Sequence, residues 1–280
     1  MFLSSPIAQA IILGILQGVS EFLPISSSAH LVLLPWLLGW KPLGLDFDVA
    51  LHAGTLLSVL IYFRKDLWRL SRAFLAWVRE RLSRIPAPAE RDPDATLALG
   101  VLVGTAPAAV VAGLFGDAIE SHLRSPWVTV FTLAAFGLLL GYADRRGSRT
   151  RLMEGMRVVD GLLIGLAQCL ALVPGVSRSG ITITAALLLG LRRADAARFS
   201  FLLATPVIFL AALKAGFDLW RGDIPGNATT GVFATGIMVS TAAGFLCITY
   251  LVRFLQRQTY VAFVWYRLVL ACFILGWLLL

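Results

Sequence analysis

Apolar residues run along this chain in blocks far longer than the stripe of an amphipathic helix, and the polar residues gather between them. Six blocks, roughly 48–63, 97–115, 127–143, 199–216, 232–251 and 261–280, predict complete membrane spans, because about 20 apolar residues in a helix cross the roughly 30 Å hydrocarbon layer. The first is short, so its ends are expected to extend into flanking residues. Two further blocks behave differently. Residues 6–38 are interrupted by Pro24-Ile25-Ser26-Ser27-Ser28, and residues 160–191 by Pro174-Gly175-Val176-Ser177-Arg178-Ser179-Gly180. Broken backbone at membrane depth must be buried in protein or line a wet cavity, so these blocks predict re-entrant hairpins. Ordinary kinked helices are the alternative. The expected architecture is an all-α polytopic membrane protein, one integral domain over residues 1–280, with six full transmembrane helices plus two re-entrant helical hairpins.

Charge asymmetry then orients the spans. The 64–95 connection carries Arg64, Lys65, Arg69, Arg72, Arg79, Arg81, Arg84 and Arg91, and the 144–159 connection carries Arg145, Arg146, Arg149, Arg151 and Arg157. The 117–126 connection has Arg124 alongside Asp117 and Glu120. The positive-inside tendency therefore places the arginine-rich connections in the cytoplasm, and residues 117–126 and about 217–230 outside. Trp36, Trp40, Trp127, Trp220 and Trp277 fall near proposed span ends, where amphipathic rings are favoured.

Composition agrees. With 58% hydrophobic and 14% charged residues, the chain departs from a soluble domain, where about 25% are charged. Its net charge of +8 reflects the arginine-rich connections, so no nucleic-acid partner is expected. Cys169, Cys247 and Cys272 lie in apolar stretches without metal or disulfide spacing, and read as packing residues. MFLSSPIAQA has no basic stretch ahead of its apolar run; a cleaved signal peptide is not expected, and Met1 onward is expected in the mature chain.

The two broken blocks resemble each other. Gly14-Ile15-Leu16-Gln17 matches Gly165-Leu166-Ala167-Gln168, and Pro24-Ile25-Ser26-Ser27-Ser28 matches Pro174-Gly175-Val176-Ser177-Arg178. Each copy continues as hairpin, span, span, span, giving internal repeats over about 1–145 and 155–280. An odd number of spans per copy inverts the second relative to the first, and inverted repeats with broken helices commonly bind ligands at their mutual interface.

Ionisable groups this deep are costly and face a cavity or a partner. Glu21 and His30 flank the first break, and Arg178 stands in the second. Half-helices beginning near Ser27 and Ser177 would aim free N–H groups and positive dipole ends at one point, which suits phosphate. Arg178 adds a planar fork of donors for phosphate oxygens. Ser27 with Glu21 and His30 is a candidate nucleophile-and-base group. A metal-bound water, held through Glu21, is an equally physical attacking species. Gln17, Ser26, Ser28, Ser177, Ser179 and Thr182 are candidates to complete the anion site or to cap the half-helices. His52, Asp48 and Arg267 lie near proposed span ends and are expected to anchor at the interface.

The stretch Gln17-Gly18-Val19-Ser20-Glu21-Phe22-Leu23-Pro24-Ile25-Ser26-Ser27-Ser28-Ala29-His30, with Pro174-Gly175-Val176-Ser177-Arg178-Ser179-Gly180, resembles the two signatures of the bacterial undecaprenyl-diphosphate phosphatase family, also known as the bacitracin-resistance protein family. The similarity covers essentially the whole chain. It implies removal of the terminal phosphate from undecaprenyl diphosphate in the bacterial inner membrane, at an active site open to the periplasmic face and dependent on Mg²⁺ or Ca²⁺. It also implies central roles for Glu21, Ser27, His30 and Arg178, and supporting roles for Ser26, Ser28, Ser177 and Thr182. The family pattern admits Glu or Gln at the first position. Gln17 here leaves no second carboxylate for a metal in that motif. The expected partners are a long-chain isoprenyl diphosphate and membrane lipids, with a homodimer as an option. The rival reading is a lipid flippase or secondary transporter, which also uses inverted repeats and a midplane anion site. A non-catalytic lipid-binding scaffold is a third.

Overall fold

The computed structural model describes residues 5–41, 43–83, 92–221 and 229–280. Arg84, Arg91 and residues 222–228 of the expected connections lie outside them, as do the side chains of Asp117, Glu120 and Trp220. The described chain is helical: α1 (Pro6–Ser20), α2 (Ser27–Leu37), α3 (Leu45–Tyr62), α4 (Arg64–Leu82), α5 (Pro93–Leu123), α6 (Pro126–Arg146), α7 (Val158–Gln168), α8 (Arg178–Leu188), α9 (Arg193–Arg221), α10 (Thr230–Phe254) and α11 (Val261–Leu279). Local chemistry sets several starts. Ser5 caps α1 by accepting from the Ala8 amide at 3.3 Å, with Pro6 in the first turn where its missing N–H costs nothing. Asp92 and Pro93 do the same for α5. The Asp160 carboxylate accepts from the Arg157 amide at the start of α7.

Five helices, α5, α6, α9, α10 and α11, are each long and apolar enough to cross a membrane. The expected sixth span coincides with α3, but it qualifies only together with α4, from which it is bent by 78°. α3 is short for a span by itself because the chain bends into α4 directly after Tyr62. Most of the expected 64–95 connection is helix rather than loop.

The helices pair crosswise. α1 lies along α10 and α7 along α5, while α3 meets α9 and α6 meets α11. Small residues permit both close crossings. A Cβ on Gly165 would stand 2.5 Å from the Gly104 Cα, and one on Gly161 would stand 2.6 Å from the Gly100 Cα. On the other pair, a Cβ on Gly18 would stand 2.7 Å from the Gly244 nitrogen. Backbone cannot retreat as a flexible side chain can, so Gly165→Ala is expected to destabilise by about 1–3 kcal/mol through overpacking. Thermal unfolding in detergent checks this; an unchanged midpoint would show that α5 and α7 part freely.

Candidate active site

The two breaks are where this scaffold departs from regular helix. Between α1 and α2, Ser26 adopts φ 75°, and between the 3₁₀ turn Cys169–Leu172 and α8, Ser177 adopts φ 72°. Non-glycine residues are rarely left-handed, and each such residue costs on the order of 1–3 kcal/mol unless its surroundings enforce it. Here they do. Ser177 Oγ accepts from the Gly180 amide at 3.1 Å, and the Ser26 carbonyl lies 2.7 Å from His30 Nδ1. The register follows: Ser26 corresponds to Ser177, and Ser27 corresponds to Arg178, each opening its half-helix. The expected match of Ser27 with Ser177 is therefore shifted by one residue. The serine pairs repeat as well, with Ser26 Oγ 3.2 Å from Ser28 Oγ and Ser177 Oγ 3.3 Å from Ser179 Oγ.

One carboxylate joins the two breaks. Glu21 Oε1 accepts from Arg178 Nη2 at 2.8 Å, while Oε2 accepts from Ser27 Oγ at 2.7 Å and from Gln17 Nε2 at 3.1 Å. Arg178 Nη1 donates to the Ser200 carbonyl at 3.0 Å, fixing the guanidinium from α9. Glu21 is buried, Ser27 is half-buried and Ser28 is exposed, so the group faces outward on one side. Next to it, on the far side of Ser28 and His52, lies a cavity of about 400 Å³ lined also by Asp48, Arg124, Leu172 and Pro174 among others.

His30 is not part of that group. Its Nδ1 faces the Ser26 carbonyl, which can only accept, and its Nε2 lies 2.6 Å from the Tyr266 hydroxyl. The ring therefore steadies the strained Ser26 and reaches α11, and the expected assistance from His30 to Glu21 is not formed. The imidazole beside Glu21 is that of His52, with Nε2 3.5 Å from Oε2. His52 lines the cavity and is no mere interface anchor. Ser179 is buried and donates to the Leu23 carbonyl at 3.1 Å. Thr182 is fully buried and bonds the Arg178 carbonyl and Ser200 Oγ. Both hydroxyls brace α8 against its neighbours rather than reach the cavity. Ser177 caps α8, whereas Ser26 makes no side-chain cap for α2.

Arg267 corrects a second expectation. Instead of anchoring at a surface, it is fully buried. Its guanidinium donates to the carbonyls of Pro24, Gly175 and Val176 in the two breaks, and to Thr132 and Leu133 on α6, at 3.0–3.3 Å. A lone cation in the middle of an apolar run is a signal for such a role, since it must find internal partners. Tyr266 and Ser200 carry no signal of that kind in the sequence.

The donor set bears on a divalent ion. Among the described residues no three His, Cys, Asp or Glu side chains gather as they would for a metal. The oxygens of Glu21 are engaged by Arg178, Ser27 and Gln17. These residues do not fit a protein cage for Mg²⁺ or Ca²⁺.

Comparisons with known proteins point one way. The family model described as bacitracin resistance protein BacA matches residues 10–273. The chain is 48% identical over 261 residues to an undecaprenyl-diphosphatase of Pelobacter propionicus, covering 93% of each chain. It is 45% identical over 277 residues to one of Geobacter sulfurreducens, covering 97% of this chain and 98% of the relative. With one of Rubrobacter xylanophilus it shares 46% identity over 275 residues, with the same coverage.

Proposed function

We propose, on the premise that this chain belongs to the bacitracin resistance protein BacA family and is an undecaprenyl-diphosphate phosphatase, that Ser27, Glu21 and Arg178 form its reacting centre. The enzyme hydrolyses undecaprenyl diphosphate to undecaprenyl phosphate as a multi-pass inner-membrane protein, returning the carrier lipid to cell-wall synthesis. The observation that carries the assignment is the single carboxylate of Glu21 bonded at once to the Ser27 hydroxyl and the Arg178 guanidinium.

A hydroxyl attacks phosphorus well only when a neighbouring base takes its proton, and Glu21 Oε2 is hydrogen-bonded to Ser27 Oγ for that transfer. Ser27 Oγ bonds to the terminal phosphorus as the bond to the bridging oxygen breaks, and undecaprenyl phosphate leaves with that electron pair. Arg178, opening α8 with that helix's positive dipole end behind it, stabilises charge spreading over the transferring oxygens. Glu21 yields its proton to the departing lipid phosphate. It then takes a proton from the water that attacks the phosphoserine, and returns that proton to Oγ as phosphate leaves. Gln17 and His52 hold the carboxylate in place, and Ser28 lines the cavity with the buried Ser26 hydroxyl 3.2 Å behind it. Ser177 caps the helix that presents Arg178. His30 positions the strained turn.

The family resemblance implies Mg²⁺ or Ca²⁺, for which the described residues offer no cluster of three His, Cys, Asp or Glu side chains. No step here depends on it. The six-span arrangement with two inverted hairpins, repeated over about 1–145 and 155–280, is supported by the crosswise pairing of α1 with α10 and α7 with α5. With the arginine-rich α4 inside, the cavity at Ser28 opens to the periplasm. Labelling of a cysteine placed in α4 in intact cells is expected to fail until the membrane is permeabilised, and labelling from outside would reverse this orientation.

Purified enzyme should release phosphate from a long-chain isoprenyl diphosphate in detergent with no ion gradient, which separates a phosphatase from a transporter. Ser27→Ala should lower that turnover at least about 10³-fold if the hydroxyl is the nucleophile. Near-wild-type rates would leave water as the attacking species.

A further inference from the structure

The helix α4 turns away from α3 at 78° and exposes a face that no part of the described chain covers. Trp68, Leu75 and Leu82 are 68%, 65% and 79% exposed and recur every seven residues, so they form one stripe along the helix. Lys65, Arg72 and Arg79 are exposed and stand three or four positions from members of that stripe, which sets them on the same face. The opposite face is anchored. Leu70 is buried, Leu67 and Phe74 join the core, and Asp66 pairs with Arg198 of α9 at 3.3 Å.

We propose that this face of α4 docks on the anionic lipid surface, with the apolar stripe among acyl chains and Lys65, Arg72 and Arg79 at headgroup phosphates. The bend puts α4 across the direction of its own span, where a helix lies along the surface instead of entering it. Apolar and basic residues interleaved on one exposed face match an interfacial helix on acidic lipid. A second protein copy fits less well, because the cores of protein interfaces are depleted of charged residues. Docking also bears on the site. The Asp66–Arg198 pair joins α4 to α9 two residues before Ser200, whose carbonyl holds Arg178.

The test uses the full chain with its three cysteines replaced and one spin label at Ala76, which is exposed beside this face. The protein is reconstituted in vesicles of phosphatidylcholine alone, or of equal parts phosphatidylcholine and phosphatidylglycerol. In the anionic vesicles the label should collide with oxygen dissolved in lipid and be shielded from a water-soluble nickel chelate. Each basic residue near an anionic surface contributes a factor of about five, so replacing Lys65, Arg72 and Arg79 by Gln should shift the docked equilibrium on the order of a hundredfold. The label should then become accessible to nickel. Equal nickel access in both vesicle types would overturn the proposal: high access would mean that the face looks into water, and low access that the basic residues do not select acidic headgroups. Shielding from both reagents that deepens with protein density would overturn it in favour of a second copy.

Discussion

Arg178→Ala is expected to remove nearly all turnover, on the order of 10³-fold or more, as the loss of an arginine that stabilises phosphoryl-transfer charge does elsewhere. Two effects combine. The transferring phosphoryl group loses a cationic donor, and the Glu21 carboxylate loses the cation at 2.8 Å that holds it beside Ser27. Arg178→Lys separates them, because lysine restores a charge but not the planar fork that spans Glu21 and the Ser200 carbonyl. Steady-state phosphate release from purified variants is the measurement. If lysine recovered the full rate, point charge alone would suffice. If alanine retained it, Arg178 would have no part in the chemistry.

Arg267→Ala should be as damaging, but through structure. One guanidinium occupies the carbonyls of Pro24, Gly175 and Val176, so its loss leaves several buried acceptors without donors in both breaks at once. Each orphaned group costs about 1–3 kcal/mol, and the sum is a large fraction of ordinary folding stability. The left-handed Ser26 and Ser177 would also lose neighbours that enforce their conformations. Arg267→Ala should therefore lower the thermal midpoint in detergent as well as the rate, and lower it further than Arg178→Ala, which strands one buried carboxylate and one carbonyl instead of five carbonyls. Equal midpoints for wild type and Arg267→Ala would detach this residue from the breaks.

The expected spans were largely legible in the apolar pattern because lipid demands long uninterrupted runs. Five of the six blocks appear as spanning-length helices, and α3 falls short because the chain turns sharply at Phe63. Most of the 64–95 connection gives no span signal although it is helix, since α4 is too polar to cross lipid and its many arginines resemble a charged loop. Within the site, Glu21, Ser27 and Arg178 were visible as rare polar groups in apolar surroundings, and they do meet. Which imidazole would reach Glu21 was not legible. His30 stands close to Ser27 in sequence, but the left-handed turn at Ser26 brings its ring onto the Ser26 carbonyl. His52, 31 positions after Glu21, arrives because α3 packs on α1. Such contacts come from helix packing, and no local pattern encodes them.

The shared geometry of the two breaks has an evolutionary consequence. Ser27 and Arg178 occupy the same place, the first helical residue after a left-handed serine, and the mechanism proposed above gives them opposite work on one phosphate. Two identical subunits would have to put the same side chain in both places, giving a pair of hydroxyls or a pair of cations. Joining the halves in one polypeptide frees the two copies of that position to differ, so that one carries a hydroxyl and the other a guanidinium.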